Sequence, residues 1–207
     1  MLQCLLAAAA LAPVPQASAP TFPYAVLPHR ERHEVVNDIL RERLDDLLPG
    51  LMRETGIDMW VVANREYAED PVYLTLVPEP VFAARRTTLL VLFDRGVDEG
   101  TGEDLGVERL TVSRYDLGEF YASAWPEGGS DDAQWARLAE VIAERDPKRI
   151  GVNTSRHWAA ADGRSHGLRT RLEESLPGEL RARLVPAESL CIRWIETRTA
   201  AELALYP

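Results

Sequence analysis

The chain has 207 residues, 46% of them hydrophobic and 7% aromatic, and a formal charge of −10. This is the composition of an ordinary globular protein of one substantial domain or two small ones, and a chain this long buries roughly 70% of its unfolded surface without staples. The negative charge argues against nucleic acid and against an anionic membrane surface as partners, because both are bound through clustered Lys and Arg.

Residues 1–28 carry no charge. Leu5 to Ala12 form a short apolar run, and Ala17-Ser18-Ala19 has the small-x-small form of a signal cleavage site. The run falls short of the ~20 residues that span a bilayer. Residues 1–19 are therefore expected to be a signal peptide that exports the chain to the periplasm or beyond, with 20–30 as a linker. No Lys or Arg precedes the run and Pro20 follows the cut, so a cytoplasmic chain is the alternative. Cys4 falls in the removable segment, which leaves Cys191 without a partner. In the apolar stretch Leu190-Cys191-Ile192 it reads as a small core residue rather than a nucleophile.

From Glu31 to Thr55, Val35, Val36, Ile39, Leu40, Leu44, Leu47, Leu48, Leu51 and Met52 recur at spacings of three and four, the stripe of an amphipathic helix. Pro49-Gly50 is expected to kink or divide it, and Gly56 to stop it. Ile57 to Ala63 then reads as a buried strand. After a loop rich in Pro and acid, the continuous apolar run Thr87 to Phe93 suggests a central strand covered on both faces. Residues 94–106 mix four Gly with five acidic residues and form a turn, so that Val107 to Ser113 returns as an antiparallel strand.

Ser130 and Asp131 open a helical stripe through Trp135, Leu138, Val141 and Ile142 that ends near Asp146-Pro147. Arg149 to Asn153 reads as a strand, Leu168 to Leu176 as a helix and Arg183 to Val185 as a short strand. The order predicts an α/β domain with a mixed sheet flanked by helices. Trp60, Trp135 and Trp194 are expected in the core, whereas Trp125, beside Pro126 and a Gly pair, is expected to be exposed and available to an interface. At the end of the chain, Thr199-Ala200-Ala201-Glu202 matches the capping box. Since so short a helix does not offset its nucleation cost alone, the expectation is that the natural polypeptide continues beyond Pro207.

Several chemical motifs fail on inspection. Gly163-Arg164-Ser165-His166-Gly167 matches the G-x-S-x-G string, but an irregular stretch precedes it and no Asp follows Ser165, so it reads as a turn and a helix start. His29 and His33 are spaced i, i+4, yet HRERH has its Glu at the wrong offset for a metalloprotease. His157 has no evident partner. The acidic turn misses the calcium-loop pattern at Gly96 and Glu99, and its glycines miss the dinucleotide fingerprint. No catalytic residue and no metal ligand is assigned.

Gly56-Ile57-Asp58-Met59-Trp60-Val61-Val62, Asp70-Pro71-Val72-Tyr73-Leu74-Thr75, Thr87 to Phe93, Arg149-Ile150-Gly151-Val152-Asn153 and the ending Arg193 to Leu203 together resemble the N-terminal domain of the creatinase, prolidase and Xaa-Pro aminopeptidase family of pita-bread metallopeptidases. The resemblance covers roughly residues 30–207. It implies a ribonuclease H-like mixed sheet over residues 31–196, with 197–207 starting the linker helix to a catalytic domain absent from this chain. In such enzymes two divalent metal ions, Mn or Zn, belong to that missing domain and activate the attacking water; this chain would hold no cofactor. Its implied role is to support subunit association, its own C-terminal catalytic domain and access of peptide substrate, as a homo-oligomer. Asn64, Arg65, Tyr67, Arg85 and Arg86 are the candidate substrate-contacting residues, with Arg suited to a substrate carboxylate. Two other readings stay open: a stand-alone binding or oligomerisation module of the same fold, and part of a creatinase-like amidinohydrolase.

Overall fold

The computed structural model describes residues 26–206; the expected signal peptide and Cys4 lie outside them. The amphipathic stripe forms α1 (His29–Glu42), a π-helical turn at Arg43–Leu47, and α2 (Leu48–Thr55). The helix is thus divided just before Pro49, at the turn whose backbone the proline leaves unbonded. A proline has no N–H for the carbonyl four residues earlier, and its ring crowds that carbonyl. Gly56 ends α2 in the left-handed conformation, φ 64°. Its N–H meets the Arg53 carbonyl at 3.2 Å while the Ile57 N–H meets that of Met52 at 2.9 Å, the paired bonds of a glycine stop.

The chain then enters β1 (Met59–Arg65), β2 (Thr87–Asp94), β3 (Val107–Val112), the two-residue β4 (Ala122–Ser123), α3 (Asp131–Arg145), β5 (Ile150–Val152), α4 (His166–Ser175), α5 (Gly178–Arg181), β6 (Leu184–Pro186), α6 (Glu188–Glu196) and α7 (Ala200–Ala204). The strands form one six-stranded sheet in the order β4-β3-β2-β1-β5-β6. β1 and β2 pair antiparallel, as do β2 and β3, whereas β1 and β5, β5 and β6, and β3 and β4 are parallel. The protein is therefore α/β with a mixed sheet between helices. Among the described residues no helix is long and apolar enough to cross a membrane.

Strand alternation divides the core in two. Trp60 and Val62 of β1 with Leu90 and Leu92 of β2 face one layer, packed with Leu44, Leu48 and Met52 from the first helices and Leu190, Cys191 and Trp194 from α6. Met59, Val61, Leu89 and Val91 face the other, packed with Trp135, Leu138 and Ile142 of α3 and Leu168 and Leu172 of α4. Both central strands are buried on both faces, as their unbroken apolar runs require. Trp60, Trp135 and Trp194 lie in the core as expected. Trp125 does not lie where its sequence neighbours suggest, for it is only 7% exposed and belongs to the second layer. The Gly pair explains the difference: a Cβ on Gly129, φ 148°, would sit 3.3 Å from the Trp125 ring, so the absent side chain is the space the indole fills.

The capping box forms as read. Thr199 caps Glu202 N–H at 3.2 Å and the Glu202 carboxylate accepts from Thr199 N–H at 2.8 Å. Tertiary contacts add to it: Thr199 Oγ1 donates to Glu42 at 2.9 Å and Arg43 Nη1 to Glu202 at 2.6 Å. Arg43 also donates to the Trp194 and Thr197 carbonyls and lies over the Trp194 ring at 4.3 Å. These contacts hold the short α7 against the first helix and α6.

Candidate functional site

The connection from β1 to β2 runs through residues 66–86, well beyond a hairpin loop and longer than the ~12–15 residues at which a structureless connection becomes uncommon. Its anchor is Asn64. That side chain is fully buried; its Oδ1 accepts from Asp70 N–H at 2.9 Å and its Nδ2 lies 3.4 Å from the Val62 and Thr88 carbonyls. Asp70, 1% exposed, accepts from Val72 N–H and from Asn153 Nδ2, both at 2.9 Å. Asn153 Oδ1 in turn accepts from Trp60 Nε1 at 2.6 Å and from Cys191 Sγ at 3.2 Å. Burial pushes the Asp70 carboxyl above its ordinary value, opposed by its two hydrogen bonds and reinforced by the Asp162 charge. Burial pushes the Cys191 thiol up as well, which suits a core residue and not a nucleophile.

The loop, the start of β2 and the segment after β3 line an open cavity of about 670 Å³, within the size range of small-ligand sites. Tyr73 and Thr88 are buried at its base. Burial raises the Tyr73 phenol to about 12, against a lowering hydrogen bond with Thr88. Tyr115 and Asp116, from the segment after β3, form one wall, and Tyr67, Phe82 and Arg85 stand at the rim. Tyr67 and Phe82 are 93% and 87% exposed. Tyr67 at φ 67° and Arg86 at φ 56° are both left-handed, a conformation uncommon for residues other than Gly. The turn is held by the Glu66 and Ala68 N–H groups on the Arg86 and Arg65 carbonyls, at 2.7 and 3.0 Å.

The five residues expected to contact substrate are thus treated differently. Tyr67 and Arg85 line the cavity, with the Arg85 guanidinium 4.7 Å from the centre of the Tyr115 ring. Arg65 and Arg86 are exposed beside it at the paired ends of β1 and β2. Asn64 presents no surface and serves as the loop's anchor. Sequence reasoning missed Glu66, Glu69, Tyr73, Phe82, Tyr115 and Asp116. The length of the 66–86 connection was the available signal, since long loops on a rigid sheet carry binding groups.

No protein family's sequence profile matches this chain, and no curated protein does.

The remaining motifs resolve locally. Ser165 caps α4 by accepting from Leu168 N–H at 3.3 Å, so the G-x-S-x-G string is a turn and a helix start. His29 sits exposed and His33 half-buried, 3.5 Å from the Glu79 carboxylate, on the first turns of α1, and His157 is exposed beside a second cavity of about 660 Å³ at the end of β6. The acidic turn after β2 is tied by Arg53 to Asp94 and Asp104 at 2.7 Å. Among the described residues no group of three or more His, Cys, Asp or Glu is arranged to hold a metal ion. The cavity's functional groups are rings, carboxylates, the Thr88 and Ser113 hydroxyls and one guanidinium.

Proposed function

We infer that this chain is the N-terminal, non-catalytic domain of an exported metallopeptidase of the creatinase, prolidase and Xaa-Pro aminopeptidase type. Hydrolysis belongs to a catalytic domain outside this sequence that holds two divalent metal ions, and the present domain supports subunit association and access of peptide to that centre. The observation that carries the reading is that the segments bearing the resemblance meet in the interior. Trp60, Asp70 and Asn153, each from a different one of those segments, share the buried network. Trp194 from the ending donates to Thr75 at 2.8 Å. Segments scattered along the chain therefore act as one structural unit, as a shared ancestral core would. Arg65, Tyr67, Arg85 and Arg86, gathered at one end of the β1–β2 ladder, are the residues we assign to the substrate-facing side.

A self-contained binding module of the same fold is the second reading, favoured by the anchorage of α7 on Glu42 and Arg43 within the domain. Reading the coding frame past the Pro207 codon separates the two. The peptidase reading expects a further ~200–250 residues, the size of a domain, with separated Asp, His and Glu ligands, and Mn- or Zn-dependent cleavage beside proline by the whole product. A stop codon, or a following domain without such ligands, overturns it in favour of the binding module.

A further inference from the structure

We propose that the cavity over β1 and β2 is a binding site for an organic cation, and specifically for the guanidinium or ammonium group of a short basic peptide. The inference is independent of the peptidase reading and reverses the expectation that Arg85 marks a carboxylate site. Two kinds of group in the cavity lead to it. The first is aromatic: Tyr67, Phe82 and Tyr115 are among the residues that line the cavity, and ring faces attract cations through their quadrupoles. Arg85 lying 4.7 Å over Tyr115 is that contact already made within the chain.

The second is charge. Glu66, Glu69 and Asp116 line the cavity against the single guanidinium of Arg85. Each carboxylate accepts one backbone N–H, from Arg86 at 3.2 Å, Ala84 at 3.2 Å and Gly118 at 2.9 Å respectively. Among the described residues none of the three is in an ion pair, whereas Asp94, Asp104 and Glu108 elsewhere on the sheet are matched to Arg53 and Arg145. Each backbone bond fixes a carboxylate's direction and leaves one oxygen free to take a charge-assisted hydrogen bond from a ligand. At about 670 Å³ the cavity is larger than one side chain needs, so the flanking residues of a peptide find room beside Phe82 and Tyr67. Within the lining a carboxylate ligand would meet three like charges and one opposite charge, that of Arg85, which is already engaged by the Tyr115 ring, while Arg65 and Arg86 stand outside the lining.

The test is titration calorimetry of the whole chain with acetyl-Ala-Arg-Ala-amide, its citrulline counterpart, and acetyl-Ala-Ala-Ala with a free carboxylate. Citrulline keeps the shape of arginine and removes its charge. The arginine peptide is expected to bind saturably, more weakly as salt rises, and the citrulline peptide at least about tenfold less tightly. Glu66→Gln with Glu69→Gln, which retains the acceptors for Arg86 and Ala84 N–H, should cost about tenfold or more. Phe82→Ala, at an exposed rim position that folding does not use, should weaken binding independently. Equal binding of the arginine and citrulline peptides, preference for the free carboxylate, or no saturable binding of the arginine peptide overturns the proposal. Any of these outcomes leaves the coding-frame test of the peptidase reading untouched.

Discussion

Replacing Gly163 by Ala probes the buried network with one methyl group. Gly163 lies over Asp70, and a Cβ there would come 2.3 Å from the Asp70 carboxyl and 2.6 Å from Pro71 Cδ. Its backbone conformation is one alanine accepts, so the cost is steric. Pro71 is exposed, but Asp70 is buried and moves only by loosening its bonds to Val72 N–H and Asn153. Overpacking of this kind costs ~1–3 kcal/mol, and a lost bond to a charged group ~1.5–3 kcal/mol. With part of each incurred, G163A should lose about 3 kcal/mol, or roughly 6–12 °C in Tm for a chain of this size. Gly167, in the same G-x-S-x-G string, has nothing within 4 Å of its ideal Cβ; G167A should match or exceed wild type by about 0.5 kcal/mol. Thermal melts followed by near-ultraviolet dichroism suit the purpose, because Trp60 reports on Asn153. A G163A melt within about 2 °C of wild type would refute the claim that the glycine is required by the Asp70 carboxyl.

Asp70→Asn should destabilise by about 1–3 kcal/mol, measured by urea unfolding at pH 7, although it removes a buried charge. Asn153 Oδ1 is held by Trp60 and Cys191, so either orientation of an amide at 70 sets one donor against another. The same substitution has a pH signature. Because the folded carboxyl is raised, its contribution to stability is full below the ordinary aspartate value of about 3.9 and is lost as pH rises through the folded value. The difference in stability between wild type and D70N should therefore shrink as pH rises from about 4, and a difference that grows would overturn the sign. Arg43→Met leaves the Trp194 and Thr197 carbonyls and the Glu202 carboxylate without their donor; a loss of about 3–5 kcal/mol in urea is expected, and a loss under about 1 kcal/mol would show that α7 is held by other means. Arg164 has Nε and Nη1 sealed from solvent without an acceptor, and burial lowers its pKa. Arg164→Met is expected to raise Tm by roughly 2–4 °C, about 1 kcal/mol, and a lowered Tm would reveal a partner for the guanidinium.

Elements whose signal is local were legible in the sequence. The α1–α2 stripe, the stop at Gly56, the Ser130 cap of α3 and the doubly buried run of β2 depend on spacings of a few residues, and each forms where its pattern lies. The elements missed have little local signal. β4 is two residues long and exists through its parallel pairing with Leu110 and Thr111. α5 is a single turn between β6 and the end of α4. α6 carries Leu190, Cys191 and Trp194 into the first core layer, where Cys191 and Trp194 are expected from the sequence. Trp125 is buried although Pro126 and the Gly pair beside it suggest exposure, because the missing Gly129 side chain leaves the space that the indole fills.

The site was half legible for a related reason. Tyr67 and Arg85 stand out as polar or aromatic residues at strand ends, but the carboxylates that set the sign of the cavity come from two segments, residues 66–69 and the stretch after β3, that only the fold brings together. That fold holds the 66–86 loop at spaced points. Asn64 bonds Asp70 N–H, Asn37 of α1 exchanges two bonds with the Glu79 backbone at 2.8 and 3.1 Å, Tyr121 donates to the Leu76 carbonyl at 2.7 Å, and Trp194 donates to Thr75. A loop pinned from the sheet, from α1 and from α6 has little conformational freedom left to lose when a ligand enters, and ordering costs of that kind limit affinity at flexible sites. The polar residues committed to the interior, Asn64, Asp70 and Asn153, thus act on the cavity from beneath by keeping its walls in place. The length of the loop is then compatible with a preformed site.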